Sequence, residues 1–224
     1  MELIQTIIDL FLHLDKHLGN LIQQIGAWTY VPLFFVIFME TGFVITPFLP
    51  GDSLIFAAGT LAALPESPLN IVVLFLGLAA AAILGDTVNY WIGHYIGPRV
   101  FTEKIPFLKK EYLDRTHKFY EKHGGITIFL ARFMPIIRTF APFVAGVGAM
   151  SYGRFITYNV IGGLAWTALF TFVGYFFGNL EIVQKNFSLV IVAIVLISVL
   201  PILVEVIKNP LAKKKAAVIE NKKK

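Results

Sequence analysis

The chain of 224 residues contains no cysteine, and this absence excludes several kinds of chemistry at once. Without thiols the protein has no disulfide framework, no thiolate metal site and no cysteine nucleophile. Charged residues are scarce too, at 15% of the chain, and the five histidines are scattered. No grouping of His, Asp and Glu has the spacing of a metal site, so we expect neither a metal nor another cofactor.

Apolar residues, in contrast, are abundant and gathered into long blocks. They make up 57% of the chain, which has a mean hydropathy of +0.74, whereas soluble proteins are about 45–50% apolar. Three long apolar blocks, 69–97, 154–178 and 186–207, each exceed the roughly 20 residues that a membrane-spanning helix needs. These blocks predict an all-α integral membrane protein with about three transmembrane helices.

Two further apolar blocks, 27–63 and 125–150, are interrupted by residues that break helices. Proline removes a backbone donor, and broken backbone at membrane depth persists only where it is buried in protein or lines a cavity. We therefore predict two re-entrant hairpins, each of the form helix, break, helix. The predicted break residues are Pro47, Pro50 and Gly51 in the first block and Pro135 and Pro142 in the second.

The two broken blocks lie in equivalent places in the two halves of the chain. The first contains PFLPGDSLIFAAG (47–59), and the second contains PIIRTFAPFVAG (135–146), which resembles it weakly. Paired broken helices are typical of transporters built from inverted repeats, although short apolar stretches also resemble one another by chance. We expect an inverted repeat in which the two hairpins enter the membrane from opposite sides.

The basic residues predict the orientation of the chain. They are concentrated in segment 99–123 and in the tail, so both segments are expected in the cytoplasm. The first hairpin then enters from outside and the second from the cytoplasm. The net charge of +5 indicates an anionic membrane surface as a partner rather than nucleic acid, or simply a solvated loop and tail.

Amphipathic segments flank the predicted membrane domain. Residues 1–26 lack the basic region and cleavage site of a signal peptide and carry apolar residues at helical spacing, which predicts a helix lying on the bilayer. Residues 104–125 predict a second interfacial helix. The predicted division is an N-terminal helix (1–26), a membrane transport domain (27–208) and a basic cytoplasmic tail (209–224).

Six ionisable residues fall at predicted membrane depth, where each costs about 2.5–3.5 kcal/mol at the centre of a helix. Glu205 lies near the end of its span beside Lys208, so its side chain is expected to reach the interface. The other five are Glu40, Asp52, Asp86, Arg132 and Arg138. These charges must pair with one another, meet water or bind a ligand.

The two arginines lie in the segment RFMPIIRTFAP, on either side of Pro135. On a continuous helix Arg132 and Arg138 would point about 120° apart, since each residue turns about 100°, but a break at Pro135 lets them converge. Guanidinium groups bind phosphate bidentately, so we predict that both arginines bind a phosphate headgroup. The alternative is that they simply pair with Glu40 and Asp52.

Glu40 and Asp52 flank the break in the first hairpin. A buried carboxyl beside an arginine can take up and release a proton, as intramembrane acids do in transporters, and we predict this proton-coupling role for both. Asp52 follows the break directly, so the alternative is that it only caps a helix. Thr46 and Ser53 are expected to support the site by satisfying freed backbone groups.

The segment GDTVNYWIGHYIG (85–97) repeats small residues at every fourth position. This spacing favours close packing of helices. The face consists of Gly85, Asn89, Gly93 and Gly97. Asp86 and Tyr90 lie one turn apart beside this face, and we assign them a supporting role that is either functional or structural.

The motifs E…FLPGD…AAG, GD…NYWIGHYIG and ARFMPIIRTFAPFVAGVGAM resemble those of the DedA family of bacterial membrane proteins, whose domain is also called SNARE-associated or VTT. The resemblance covers roughly residues 27–208. It implies two opposed re-entrant hairpins and a multi-pass protein of the bacterial cytoplasmic membrane. It also implies that Glu40 and Asp52 are the functional acidic pair and that Arg132 and Arg138 are the functional arginines.

The resemblance further implies a membrane lipid translocase, in particular one that recycles undecaprenyl phosphate with the help of the proton motive force. An uncoupled phospholipid scramblase and a proton-dependent transporter of small solutes or ions are the alternatives. An enzyme such as a lipid phosphatase is not expected, because no histidine lies inside either hairpin. The sequence leaves open the lipid moved, the proton stoichiometry and the oligomeric state, including a homodimer.

Overall fold

The computed structural model describes residues 14–43, 51–100, 124–148, 150–187, 189–190 and 192–194. All regular elements in these segments are helical, which confirms the predicted all-α class. The α-helices are α1 (Leu14–Ile25), α2 (Tyr30–Gly42), α3 (Gly51–Ala62), α4 (Ile71–Val100), α5 (Ile126–Ala131), α6 (Pro135–Val147), α7 (Tyr152–Phe177) and α8 (Glu181–Lys185), and a short 3-10 helix occupies Gly26–Thr29.

Three helical stretches in the described part of the chain are long and apolar enough to cross a membrane. They are His17–Gly42, Ile71–Ile96 and Tyr152–Phe177. The second and third confirm two of the predicted spans. The third predicted span, 186–207, lies mostly outside the described residues.

The stretch His17–Gly42 was predicted differently, as a surface helix followed by the first arm of a hairpin. Gly26 divides it, because its φ of 56° is a left-handed conformation that glycine adopts readily. The preceding helix, α1, is amphipathic as predicted: Leu18 and Ile22 are buried, whereas Gln23 is exposed. α1 packs against α3, and the 3-10 helix separates it from α2, so the two do not form one uninterrupted helix.

α2 is a half-length helix that runs beside α4 in the same direction. At its start, the backbone N–H of Asn70 donates to the hydroxyl of Tyr30 at 2.6 Å. At its end, a Cβ built on Gly42 would lie 3.3 Å from the Cα of Gly85. Because Gly85 is close to the middle of the span Ile71–Ile96, α2 ends about halfway along α4.

α3 begins at this same level and runs beside α7. Asp52, in the first turn of α3, accepts a hydrogen bond from the indole of Trp166, near the middle of α7. Thr60, in the last turn of α3, donates to the carbonyl of Gly174, close to the end of α7, at 3.2 Å. α3 therefore leads back towards the end of the bundle at which α2 began.

α5 and α6 approach from the opposite end of the bundle. Gly125, just before α5, lies against Tyr158 in the second turn of α7. α6 follows a break at 132–134, and Asn89, near the middle of α4, donates to the carbonyl of Thr139 at 2.7 Å. The pairs α2–α3 and α5–α6 therefore reach the middle of α4 and α7 from opposite ends.

Glycines bring these helices into backbone contact at four places. Between α3 and α7, a Cβ built on Gly59 or Gly174 would lie 3.1 or 2.9 Å from a backbone carbon of the facing helix. The same arrangement recurs between α6 and α4 at Gly146 and Gly93, with distances of 3.0 and 2.9 Å. Backbone occupies the space that a side chain would need, which confirms the close packing predicted for Gly93.

The break predicted at Pro135 is present. α5 ends at Ala131, Met134 has an extended conformation (φ −124°, ψ 100°), and α6 begins at Pro135. The prediction was wrong for Pro142, which lies inside α6 and does not interrupt it. Its fixed φ fits a helix, although it removes the N–H that would otherwise bond the carbonyl of Arg138 and its ring crowds that carbonyl.

Other predicted features lie outside the described residues. Gly51, predicted as part of the first break, is the first residue of α3, which is consistent with a break just before it. The features that fall outside are Thr46, Pro47, Pro50, Glu205, most of the helix predicted over 104–125, and the tail 209–224. The division into three segments stays a prediction.

Replacing Gly174 with alanine is expected to destabilise the bundle by about 1–3 kcal/mol, because the added methyl overlaps backbone that cannot move aside. The matched control is Gly77→Ala in α4, where a Cβ would meet nothing within 4 Å. The control should be neutral or slightly more stable, since alanine favours helix. Thermal unfolding of both variants in the same detergent measures the difference, and equal midpoints would contradict the close packing.

Candidate functional site

All five ionisable residues predicted at membrane depth within the described chain are buried. Their exposed fractions are 7% or less: Glu40, Asp52, Asp86, Arg132 and Arg138. They come from four different helices and the break before α6, and they form two neighbouring groups. Each group contains one arginine.

Arg138, in the first turn of α6, joins two acids of the α2–α3 pair. Its Nη1 lies 2.5 Å from Oδ1 of Asp52, and its Nη2 donates to Oε1 of Glu40. The same Glu40 oxygen accepts the backbone N–H of Gly51 at 3.3 Å. One guanidinium therefore ties α6 to both half-length helices that approach from the other end of the bundle.

Gly51 has a steric reason to be glycine. A Cβ at this position would overlap the Glu40 carboxylate, whose Cδ would lie only 2.7 Å away. Any larger residue would displace the carboxylate from Arg138. Gly51 therefore makes room for the ion pair.

Trp166 completes the Arg138 group, and the sequence analysis did not identify it. Its Nε1–H donates to Oδ1 of Asp52 at 2.9 Å, and Cζ of Arg138 lies 4.9 Å from the centre of its ring. The signal was available: tryptophan in membrane proteins prefers the interface, where its N–H meets water. A tryptophan in the middle of a predicted span indicates a buried acceptor.

Arg132 forms the second group, in the break between α5 and α6. Its Nη2 lies 2.6 Å from Oδ2 of Asp86, donates to the side-chain oxygen of Asn159, and donates to the carbonyl of Ala82 at 3.3 Å. The Cδ of Arg132 would lie 3.1 Å from a Cβ on Gly162, so this glycine makes room for the side chain. Arg132 thus ties the break to α4 and α7.

Asn159, which the sequence analysis also missed, is bonded at both ends of its amide. While its oxygen accepts from Arg132, its Nδ2 donates to the carbonyl of Ile83 at 3.0 Å and to the hydroxyl of Thr87 at 3.3 Å. Its side chain is completely buried. The Arg132 group is therefore closely cross-bonded between the two long helices.

The pairing predicted as the alternative, of both arginines with Glu40 and Asp52, holds for Arg138 and not for Arg132. Phosphate binding by the two arginines stays a prediction. The arginines do not share one set of ligands: Arg138 pairs with Glu40 and Asp52, whereas Arg132 pairs with Asp86. Asp52 is more than a helix cap, because its carboxylate binds a guanidinium and an indole. The break at Pro135 does bring both arginines into the bundle interior.

The remaining supporting residues lie in different places. The hydroxyl of Ser53 is buried and has no hydrogen-bond partner among the described residues. Tyr90 donates to the carbonyl of Met150 and stacks on Phe155, with ring centres 4.4 Å apart. Tyr90 therefore contributes to a hydrophobic cluster that includes Met150 and Phe155.

The buried charges do not balance. Three carboxyls face two guanidiniums across the two groups. The Arg132 group has one acid for one arginine, and the excess carboxyl belongs to the Arg138 group. Within the described residues, no set of three or more His, Asp or Glu side chains is placed to hold a metal ion.

Known proteins resemble this chain along nearly its whole length. Residues 49–176 match the model of the VTT domain. Protein DedA of Escherichia coli (strain K12) is 52% identical, over 97% of this chain and 100% of its own. This chain belongs to the DedA family of membrane proteins. The resemblance stated from the sequence motifs is thereby confirmed.

Other members of the family are more distant. An uncharacterized membrane protein of Mycobacterium tuberculosis (strain ATCC 25618 / H37Rv) is 46% identical over 80% of this chain and 79% of its own. Inner membrane protein YqjA of Escherichia coli (strain K12) is 33% identical over 70% of each chain. No solved structure matches the chain significantly. The names of these relatives and the three apolar helices agree in placing this family in membranes.

Replacing Asp86 with leucine is expected to destabilise the protein by about 3–5 kcal/mol, because it leaves the Arg132 charge buried without its acid. Replacing Arg132 with methionine as well removes that charge. The double variant should therefore regain most of the lost stability. Thermal unfolding of both single variants and the double variant measures this coupling, and strictly additive losses would contradict an ion pair.

Proposed function

We propose that the protein is a translocase that moves a phosphate-bearing lipid, undecaprenyl phosphate in the first place, across the cytoplasmic membrane with coupling to the proton motive force. The observation that carries the proposal is the environment of Arg138. A permanent cation is buried level with the middle of the long helices, and it is held by two acids that a ligand could displace.

The proposal includes an architecture of two opposed re-entrant hairpins related by an inverted repeat. Its support is the pattern of helix packing: α2 packs on α4 and α3 on α7, while α5 packs on α7 and α6 on α4. If α2, α3 and α4 are exchanged with α5, α6 and α7 in that order, the first pair of contacts becomes the second pair. The glycine contacts of α3 with α7 and of α6 with α4 also correspond. Half-length helices meeting between two repeats are typical of transporter binding sites.

The chemistry around Arg138 favours a phosphate as the ligand. Guanidinium matches phosphate bidentately, and the first turns of α3 and α6 both lie at this level, with their N-terminal dipoles favouring an anion. Nε of Arg138 and Oε2 of Glu40 are buried, and neither has a hydrogen-bond partner among the described residues. A buried polar atom without a partner costs about 1–3 kcal/mol, so a polar ligand or a proton would stabilise this site.

Proton coupling follows from the excess carboxyl. With all five buried groups ionised, the site carries one negative charge more than positive. Protonation of Glu40 or Asp52 would remove this excess and weaken the hold of that acid on Arg138. A phosphate would then compete more successfully for the guanidinium, and loss of the proton would favour release.

Transport is predicted to stop in Arg138→Ala and to lose its response to a pH gradient in Glu40→Gln and Asp52→Asn. Loss of Arg138 removes the side chain that binds the phosphate. An amide at position 40 or 52 cannot take up or release a proton as the carboxyl does. The measurement follows undecaprenyl phosphate from one leaflet of proteoliposomes to the other, with and without an imposed gradient. Lys185→Ala, which breaks an exposed ion pair with Glu181, is the matched control.

The outcome of this assay separates the candidate functions. Gradient-driven movement that survives in Arg138→Ala would refute the phosphate site. Equal movement of phosphatidylethanolamine and undecaprenyl phosphate without a gradient would make the protein a scramblase. Movement of neither lipid would leave a transporter of small solutes or ions.

The opposed hairpins can be tested because the chain has no cysteine. Glu66→Cys, in the exposed connection between α3 and α4, should react with an impermeant maleimide from outside intact spheroplasts. Gly153→Cys, at the exposed start of α7, should react only after permeabilisation. The neighbouring Tyr152 packs on Trp91 in the later part of α4, and the sequence that follows α4 is basic and therefore predicted to be cytoplasmic. Labelling of both from the same side would contradict the proposed arrangement.

A further inference from the structure

Trp166 differs from the other two tryptophans of the chain in its partners. Trp28 is 74% exposed at the start of an apolar helix, and Trp91 packs in an aromatic cluster with His94 and Tyr152. Trp166 is 1% exposed, and its N–H donates to a carboxylate. Of the three tryptophans, only Trp166 donates its N–H to another of the described residues.

The oxygen Oδ1 of Asp52 accepts from two donors of different kinds. Nη1 of Arg138 lies 2.5 Å away on the half-length helix α6, and Nε1 of Trp166 lies 2.9 Å away on the long helix α7. The first donor is the one that a phosphate would take. The second donor stays in place, because the side chain of Trp166 is buried on the long helix α7.

We propose that Trp166 is a positioning residue that holds Asp52 while the guanidinium of Arg138 exchanges Asp52 for the phosphate of a lipid. The inference rests on the proposed function and deepens it. Without the indole N–H, moving Arg138 away would deprive Asp52 Oδ1 of both these donors, and this loss would oppose binding. With it, one donor is retained throughout the exchange.

The ring of Trp166 contributes a second effect. Cζ of Arg138 lies 4.9 Å from the ring centre, within the range of a cation–π interaction. The ring therefore keeps the guanidinium beside the site after its bond to Asp52 breaks. N–H and ring can be separated experimentally, because phenylalanine retains an aromatic face and has no donor.

The test measures binding of farnesyl phosphate, a short prenyl phosphate, to the purified full chain in nanodiscs by calorimetry, with farnesol as the ligand that lacks the phosphate. Trp166→Phe is expected to bind farnesyl phosphate about tenfold more weakly than the wild type, since a buried acceptor loses a donor on binding. Trp91→Phe is the matched control and should bind like the wild type.

A double-mutant cycle distinguishes positioning from simple packing. If Trp166 acts through Asp52, Trp166→Phe should have little further effect on affinity in an Asp52→Ala background. If Trp166 were purely structural, Trp166→Phe would weaken binding equally in the wild-type and the Asp52→Ala backgrounds. That result would overturn the inference. So would wild-type affinity in Trp166→Phe.

A second measurement does not depend on the folding of Trp166→Phe. In the Trp28→Phe/Trp91→Phe variant, Trp166 is the only tryptophan, and its fluorescence should change saturably with farnesyl phosphate and not with farnesol. Binding by calorimetry without any fluorescence change would overturn the role of Trp166 and leave the phosphate site intact. Absence of farnesyl phosphate binding to the wild type would overturn both.

Discussion

The fold depends on the burial of Arg138 between Glu40 and Asp52. A guanidinium cannot lose its charge, so in an apolar bundle it must be surrounded by acceptors or bind a ligand. The two acids come from helices that end or begin level with Arg138, and Gly51 is small enough to let Glu40 approach. The half-length helices, the break before α6 and the glycine at the start of α3 all serve to bring these three groups together.

The two arginine groups have different physical characters although they are neighbours. Arg132 has one acid, Asp86, and is further bonded to Asn159 and to the backbone of Ala82, so its position is closely determined from several sides. Arg138 faces an excess of carboxylate, because two acids, Glu40 and Asp52, pair with its one guanidinium. The first arrangement suits a fixed connection between helices, and the second suits exchange of partners.

Glycine contacts hold the half-length helices against the long helices, so they determine how the helices can move during an exchange of partners at Arg138. α3 meets α7, and α6 meets α4, with backbone against backbone at Gly59, Gly174, Gly93 and Gly146. Contacts of this kind hold each half-length helix against a long helix with little side-chain material between them. Asp52 on α3 is positioned by α7, whereas Glu40 on α2 and Arg138 on α6 are both positioned by α4. A relative shift of α4 and α7 would therefore change the separation of Asp52 from Arg138.

The sequence by itself determined the membrane class, the break at Pro135, the five buried charges and the family. Each of these can be recognised locally, because a charge or a proline within an apolar block is conspicuous in its own segment. It also predicted the close approach at Gly93, since small residues every fourth position form one helix face. It misjudged Pro142, because a proline that fits a helix looks the same in sequence as one that breaks it.

The tertiary structure decided which acid faces which arginine, and it alone identified Trp166 and Asn159. Arg138 and its acids are 86 and 98 residues apart in the chain, and no local pattern encodes such a pairing. The pairing depends on the depth at which each half-length helix stops beside α4 or α7. That depth is set by contacts between glycines and the facing backbone, which arise only when the helices are packed together.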